Sequence, residues 1–167
     1  LTKRLKLEMG GPPVRPPMPR AILETSSTPE RVWPETKGPA ANRRAVYIHA
    51  KRSIKLPLLA AFDSPERDIS CPSRYATTVP TQALTMLNSE HMNELASAFA
   101  TQLQGTLPEQ ISAAFQLATR RPIEDSELKE LTKLAADLRS NFQVPEDQLM
   151  PRLCLLILNL NETIHLD

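Results

Sequence analysis

Aromatic residues, glycine and cysteine are all scarce in this sequence of 167 residues. One Trp, two Tyr and four Phe make up 4% of the chain, and there are four glycines and two cysteines. Proteins that bind single-stranded nucleic acids stack the bases on aromatic side chains, so the composition argues against a nucleic-acid partner. The sequence also lacks a phosphate-binding Gly-rich loop, a dinucleotide fingerprint and a Gly-x-Ser-x-Gly motif, which excludes those common patterns of nucleotide binding and serine hydrolysis.

Patterns for binding metal or haem are missing as well. His49, His91 and His165 lie far apart, and none has a His or Cys partner at helical spacing, so we predict no metal site. There is no Cys-x-x-Cys-His motif, and we expect no covalently attached haem within these residues. No apolar run reaches the length of a membrane span, and the N-terminus has no signal-peptide pattern. Because the chain starts at Leu1 rather than Met, we expect a fragment of a longer protein.

Charge is unevenly distributed, although the net charge is only +1. Residues 1–56 contain 12 Lys/Arg and 4 Asp/Glu, whereas residues 57–167 contain 8 Lys/Arg and 15 Asp/Glu. The two parts should attract each other, which favours a basic arm lying on acidic helices. We therefore expect one domain, with an extended basic arm over 1–56 and a helical bundle over 57–167.

The arm is rich in proline. Residues 1–39 hold 8 of the 16 prolines, and the prolines at 12–19 disfavour helix and favour an extended or polyproline conformation. Trp33 is expected to anchor the arm. The β-branched and aromatic run at 46–48 predicts one short strand, paired with the stretch near Trp33 or with a segment missing upstream. A short helical turn is expected from Pro57.

Basic residues flank the predicted strand and form a candidate basic surface. They are Arg43, Arg44, Lys51 and Arg52. One interpretation is a binding surface for an acidic polymer or a cytochrome. The other is a solvated or self-paired strand edge, because Lys and Arg commonly protect strand edges.

Helix signals dominate the rest of the chain. Thr78 and Pro80 predict the start of a first helix, Ser89 caps a second, and Thr106 with Glu109 has the spacing of a capping box. Gly105 is expected to end the second helix. The fold class is therefore mainly α, with four to five helices over about 80–162, a Pro-rich arm and at most one short strand or hairpin.

The later helices are marked by charge and by apolar periodicity. Arg120 and Arg121 place cations at the end of one helix, and residues 124–127 load carboxylates into the first turn of the next. Pro145 and Pro151 are expected in the first turns of the last helix. Its run at 153–160 is apolar on nearly all sides, which predicts the most buried helix of the bundle.

Charged and polar residues cluster at the junction between arm and bundle. The candidate ligand-binding residues are Asp63, Arg67, Asp68, Arg74 and Thr78. One interpretation is a polar loop that arginines pin to the first helix. The other is a binding site at a helix N-terminus, where free N–H groups attract anions. The carboxylate spacing does not match a calcium loop, and we assign no catalytic residue.

The two cysteines, Cys71 and Cys154, are far apart in sequence. They form either one disulfide in an oxidising compartment or two buried thiols. Their spacing does not decide between these alternatives.

Seven short phrases occur together in a characteristic order. They are Gly10-Gly11-Pro12-x-Val14-Arg15-Pro16, Arg43-Arg44-Ala45-Val46-Tyr47-x-x-x-Lys51-Arg52, Phe62-Asp63-Ser64-Pro65, Cys71-Pro72-x-Arg74, Thr78-Val79-Pro80-x-Gln82-Ala83-Leu84-x-x-Leu87-Asn88, Arg121-Pro122 and Leu158-Asn159-Leu160-Asn161-Glu162. This order resembles the C-terminal part of a planctomycete domain that accompanies cytochrome c domains, domain of unknown function fifteen fifty-three. The resemblance covers nearly the whole chain.

The resemblance implies a large exported protein, and hence a periplasmic or extracellular location. It implies upstream domains of the same protein as partners, one of them a cytochrome c domain that would hold the haem outside this fragment. It supplies no catalytic residues. Three functions are considered: a non-catalytic binding or scaffold domain, an enzyme domain acting on complex carbohydrate with a charged site near Asp63 and Arg74, and an electron-transfer docking module that uses the basic surface.

Overall fold

The computed structural model describes residues 2–24, 27–65 and 80–164. Within these ranges the chain is mainly helical, and the only β-type pairing consists of isolated bridges. The mainly α class predicted from the sequence is confirmed. The chain forms two compact units, Lys3–Thr78 and Val79–Asp167 with the first two residues. The expectation that both belong to a single domain stays a prediction.

The Lys3–Thr78 unit is built from short turns. Among its described residues, the α-helices are α1 (Arg20–Leu23), α2 (Pro29–Val32) and α3 (Pro57–Ala61), and the 3₁₀ turns are Gly38–Ala41 and Ala45–Tyr47. The proline-rich stretch before α1 is non-helical, as expected for residues that lack a backbone N–H. The helical turn predicted from Pro57 is confirmed by α3.

Trp33 is the centre of the hydrophobic core of this unit. It is 2% exposed and is buried together with Met18 and Leu56. Its indole Nε1 donates a hydrogen bond of 2.8 Å to the carbonyl of Pro16, so the polar end of the ring is satisfied. The predicted anchoring role of Trp33 is confirmed.

The strand predicted at 46–48 is wrong. Ala45–Tyr47 is a 3₁₀ turn, and only Ile48 makes an isolated parallel bridge, with Val14. The Val14 N–H donates to the carbonyl of Tyr47 at 2.9 Å, and the His49 N–H donates to the carbonyl of Val14 at 2.8 Å. The prolines at 12, 13, 16 and 17 surround Val14 and have no N–H, so the pairing cannot extend into a ladder.

The Val79–Asp167 unit is a helical bundle. Its helices are α4 (Pro80–Leu87), α5 (Glu90–Ala100), α6 (Leu107–Thr119), α7 (Asp125–Ser140), α8 (Glu146–Leu158) and α9 (Asn161–Ile164). Five of them have seven residues or more, in agreement with the four to five helices predicted. No helix of the described part of the chain is long and apolar enough to cross a membrane.

Helix α8 lies at the centre of the bundle and packs against α5, α6 and α7. Its buried residues are Leu149, Met150, Leu153, Cys154, Ile157 and Leu158. They recur in adjacent pairs at four-residue spacing and form a wide apolar stripe, which meets Phe99 of α5 and Ile111 of α6. The prediction that this is the most buried helix is confirmed.

The capping signals operate as predicted, with one difference. Ser89 accepts a hydrogen bond from the Met92 N–H, and the Glu109 carboxylate accepts the Thr106 N–H at 2.7 Å. Gly105 does not end α5, which stops five residues earlier. It has a φ of +100°, and an added Cβ would lie 2.6 Å from Oε2 of Glu109. The glycine therefore makes room for the cap of α6.

Candidate functional site

Arg43, a predicted surface residue, folds over its own unit. Its guanidinium lies 3.8 Å from the centroid of the Tyr47 ring. Nη1 donates to the carbonyl of Pro12 at 3.0 Å, and Nη2 donates to the carbonyl of Glu8 at 3.1 Å and also to that of Gly10. The Tyr47 hydroxyl accepts the Gly10 N–H at 3.0 Å. Arg43 and Tyr47 together clamp the glycine turn.

Two glycines allow this close approach. Gly10 and Gly11 have φ values of +77° and +88°, a backbone region that favours glycine. A Cβ on Gly11 would lie 3.4 Å from Nη1 of Arg43. The sequence phrases that begin at Gly10 and at Arg43, both of which carry the family resemblance, are therefore in contact with each other in the structure.

The other residues of the candidate basic surface divide into two kinds. Lys51 is half-buried, and its Nζ donates a 2.7 Å hydrogen bond to the carbonyl of Val32. Arg44 and Arg52 are exposed. Arg43 and Lys51 thus hold structure, while Arg44 and Arg52 lie at exposed positions.

A second arginine, Arg121, is held between two carboxylates of the bundle. Nη2 donates to Glu127 at 2.6 Å and to Glu162 at 3.0 Å, Nη1 donates to Glu127 at 2.9 Å, and Nε donates to Glu162 at 2.9 Å. The guanidinium also lies 4.7 Å from the centroid of the Phe115 ring. It joins the end of α6 to α7 and α9.

Local backbone geometry presents Arg121 to its partners. Arg120 ends α6 in the left-handed region, with φ of +66°, and turns the chain toward α7. Glu127 lies in the first turn of α7, where its carboxylate also accepts the Glu124 N–H at 2.9 Å. The acidic first turn predicted at 124–127 thus has a further partner in Arg121.

The ion pairs shift the pKa of each partner toward its charged form. Hydrogen bonds from Arg121, followed by the Glu124 N–H, lower the pKa of Glu127 to about 2. The pKa of Glu162 is lowered by Arg121, and the pKa of Arg121 is raised by Glu127 first and Glu162 second. The guanidinium stays charged, and the two carboxylates occupy its hydrogen-bonding fork.

Most of the junction candidates lie outside the described residues. Arg67, Asp68, Arg74 and Thr78 belong to the range 66–79, and of this set the structure describes Asp63 alone. Asp63 is exposed and follows α3 with a φ of +52°. The ligand site at the junction therefore stays a prediction.

Cys154 is completely buried in α8. Burial raises its pKa to about 12, so the thiol is neutral at physiological pH. Its predicted disulfide partner, Cys71, lies outside the described residues, and the disulfide stays a prediction. Within the described ranges, no three His, Cys, Asp or Glu side chains cluster closely enough to hold a metal ion.

Comparison with protein families gives a match over most of the chain. The family model of the protein of unknown function DUF1553 (PSD1) matches residues 1–135. The chain belongs to the DUF1553 family. No curated protein and no solved structure matches this DUF1553 chain. The matched range includes the Arg43–Tyr47 clamp and Arg121 with Glu127, whereas Glu162 lies beyond it.

The structural roles of the two arginines in this DUF1553 chain were missed at the level of sequence. The Arg43 side chain contacts carbonyls 31 to 35 residues earlier in the chain, and Arg121 contacts a carboxylate 41 residues later. The one local signal was Tyr47, four residues after Arg43, which provides a ring for the guanidinium. No comparable signal pointed to Glu162.

Proposed function

We propose that this DUF1553 domain is a non-catalytic binding or scaffold domain of an extracytoplasmic protein that also carries a cytochrome c domain. The observation that supports this proposal is the engagement of Arg43 and Arg121 within their own units. Both belong to the phrases that carry the family resemblance, and both donate hydrogen bonds from their terminal guanidinium nitrogens to other parts of the chain.

Binding of an anionic substrate by arginine requires a guanidinium fork that faces the ligand. The terminal nitrogens of Arg43 donate to main-chain carbonyls at Glu8, Gly10 and Pro12. The fork of Arg121 is filled by two carboxylates. These arginines therefore support a framework role, in which the domain presents surfaces to the upstream domains of the same protein.

The proposal is tested by separating polysaccharide binding from hydrolysis. The chain is incubated with polygalacturonate, a carboxylated polymer, and with neutral xylan, while binding is followed by affinity electrophoresis and new reducing ends are counted. A non-catalytic domain releases no reducing ends from either polymer. If the parent chain releases reducing ends and the Asp63→Asn variant does not, the proposal is overturned in favour of the carbohydrate-enzyme alternative.

An electron-transfer docking role is the second candidate, and the exposure of Arg44 and Arg52 favours it. Exposed arginines steer an acidic cytochrome to the surface, and their effect is screened by salt. Affinity for an acidic c-type cytochrome should then fall steeply as added salt shortens the Debye length from about 30 Å to about 3 Å, which corresponds to a rise in ionic strength from about 0.01 M to about 1 M.

Charge reversal provides the matched control for this docking role. Arg44→Glu with Arg52→Glu should weaken binding, whereas Lys129→Glu with Lys133→Glu, at exposed positions on α7, should not. Affinity that is independent of salt rejects the docking role, and so does an equal response to both pairs of substitutions.

A further inference from the structure

Residues 4–9 carry three large apolar side chains that face solvent. Leu5 is 55% exposed, Leu7 is 73% exposed and Met9 is 89% exposed. They alternate with Arg4, Lys6 and Glu8, and this period of two is typical of an extended segment that is apolar on one face. The segment ends at Gly10, where the backbone turns with φ of +77°.

The segment is attached to its own unit along one edge. The Lys6 N–H donates to the carbonyl of Asn42 at 2.8 Å, and the carbonyl of Glu8 accepts Nη2 of Arg43. In an extended chain the main-chain groups of alternate residues point to opposite edges. Those of Leu5, Leu7 and Met9 therefore point to the other edge.

That outer edge is unpaired in the structure. Among the hydrogen bonds of the described residues, none involves the N–H groups of Leu5, Leu7 or Met9. An edge with free donors and apolar side chains is a template for pairing with another strand.

We propose that the outer edge of residues 4–9 docks a second copy of the same chain, as an antiparallel pair centred on Leu7. In this register Leu7 lies opposite Leu7, and Leu5 lies opposite Met9. Lys6 lies opposite Glu8, and the twofold axis repeats each unlike pair. Apolar residues thus meet apolar residues on one face, and opposite charges meet on the other.

Other registers are less complementary. An antiparallel pair centred on Lys6 keeps two Arg4–Glu8 pairs but places Lys6 against Lys6 between them, and one centred on Glu8 places Glu8 against Glu8. A parallel pair in register places Lys6 beside Lys6 and also Glu8 beside Glu8, and like charges directly opposite each other are unfavourable. Self-pairing of the segment is therefore charge-complementary, and the register centred on Leu7 is the most favourable one. The contact goes beyond the proposed scaffold function and does not depend on it.

The test is a charge exchange measured by sedimentation equilibrium on the whole chain, up to about 1 mM because a short two-stranded contact is a small interface. Lys6→Glu and Glu8→Lys each create two like-charge pairs and should raise the dimer dissociation constant about tenfold. The double variant restores two opposite-charge pairs and should return the constant to that of the parent. Circular dichroism of each variant verifies that the fold is unchanged.

Hydrogen exchange supplies a second measurement on the unmodified chain. Protection of the Leu5, Leu7 and Met9 amides should rise with chain concentration, because these donors gain partners only in the dimer. A chain that stays monomeric at every concentration overturns the proposal. So does a dimer that is insensitive to both single variants, or one that the double variant fails to restore. Protection that is independent of concentration overturns it in favour of a different covering segment.

Discussion

Arg121 and Glu162 form a two-point ion pair across 41 residues of sequence, with Nε to Oε2 at 2.9 Å and Nη2 to Oε1 at 3.0 Å. Glu162 lies in α9, after the buried helix α8, and Arg121 follows α6. The contact therefore joins α9, the last helix that the structure describes, to the chain segment that follows α6. A bidentate geometry of this kind is more specific than a single surface contact.

Removal of Arg121 should destabilise the bundle. In Arg121→Ala, Glu127 and Glu162 lose their shared cation, and the Phe115 ring loses its guanidinium neighbour. We expect the Tm to fall by a few degrees in differential scanning calorimetry. Arg152→Ala, at an exposed position on α8, is the matched control. Equal Tm values for the two variants would contradict the structural role of Arg121.

Acid should weaken the bundle over a defined pH range. The pKa of Glu127 is lowered from 4.5 to about 2 in the folded state, chiefly by Arg121. Its stabilising contribution is present above the unfolded value of 4.5 and is lost as the pH falls through about 2. The urea midpoint should therefore drop between about pH 5 and pH 2.5.

Two variants on α7 isolate this acid effect. Glu127→Gln should flatten the pH dependence, whereas Glu130→Gln, which is exposed on the same helix, should leave it unchanged. If the urea midpoint of Glu127→Gln falls with pH as steeply as that of the parent chain, other carboxylates cause the loss of stability in acid. Measurement of the urea midpoint at each pH distinguishes these results.

Neighbouring arginines in the Lys3–Thr78 unit should behave differently. Arg43→Ala removes the hydrogen bonds to three carbonyls and the contact with Tyr47, so we expect the free energy of unfolding to fall by about 1–3 kcal/mol. Arg44→Ala, at the exposed next position, should change it by less than about 0.5 kcal/mol. Urea titration followed by Trp33 fluorescence reports on this unit directly, and equal losses would reject the clamp.

The thiol of Cys154 should be protected by the fold. It is completely buried, so a thiol reagent should react with it only after denaturation. The absence of any thiol in denatured, unreduced protein would instead establish the disulfide with Cys71. Burial raises the pKa of Cys154 from 9.0 in the unfolded chain to about 12 in the folded one. The stabilising contribution of the neutral thiol is therefore fully present below pH 9.0 and is lost as the pH rises toward about 12.

A polar substitution at Cys154 tests the same burial. Cys154→Ser places a hydroxyl in the apolar core and should cost about 1–3 kcal/mol in the free energy of unfolding. Cys154→Ala, which introduces no polar atom, should cost less. Urea denaturation compares the two variants, and a larger loss for Ala than for Ser would indicate that volume rather than polarity decides the cost.

Local signals in the sequence predicted the bundle well. Ser89, Thr106 and the acidic turn at 124–127 each mark a helix start, because caps and first-turn charges act over a few residues. The prediction of a strand at 46–48 was wrong because a strand also depends on the segment with which it pairs. That partner, Val14, is flanked by prolines that cannot extend a ladder.

The sites were less predictable for a related reason. Arg43 and Arg121 find their acceptors more than 30 residues away, and no short pattern encodes such contacts. The basic charge of the arm was correctly read from the sequence, but composition does not reveal which arginine bends inward. Arg43 does so and Arg44 does not, although they are adjacent.

The central position of α8 has a consequence for how this chain can be shortened. The family match ends at residue 135, before α8 begins at Glu146. A chain truncated at that boundary would leave Phe99 and Ile111 without the helix that covers them. During synthesis, likewise, α5 to α7 cannot complete their packing until α8 has left the ribosome.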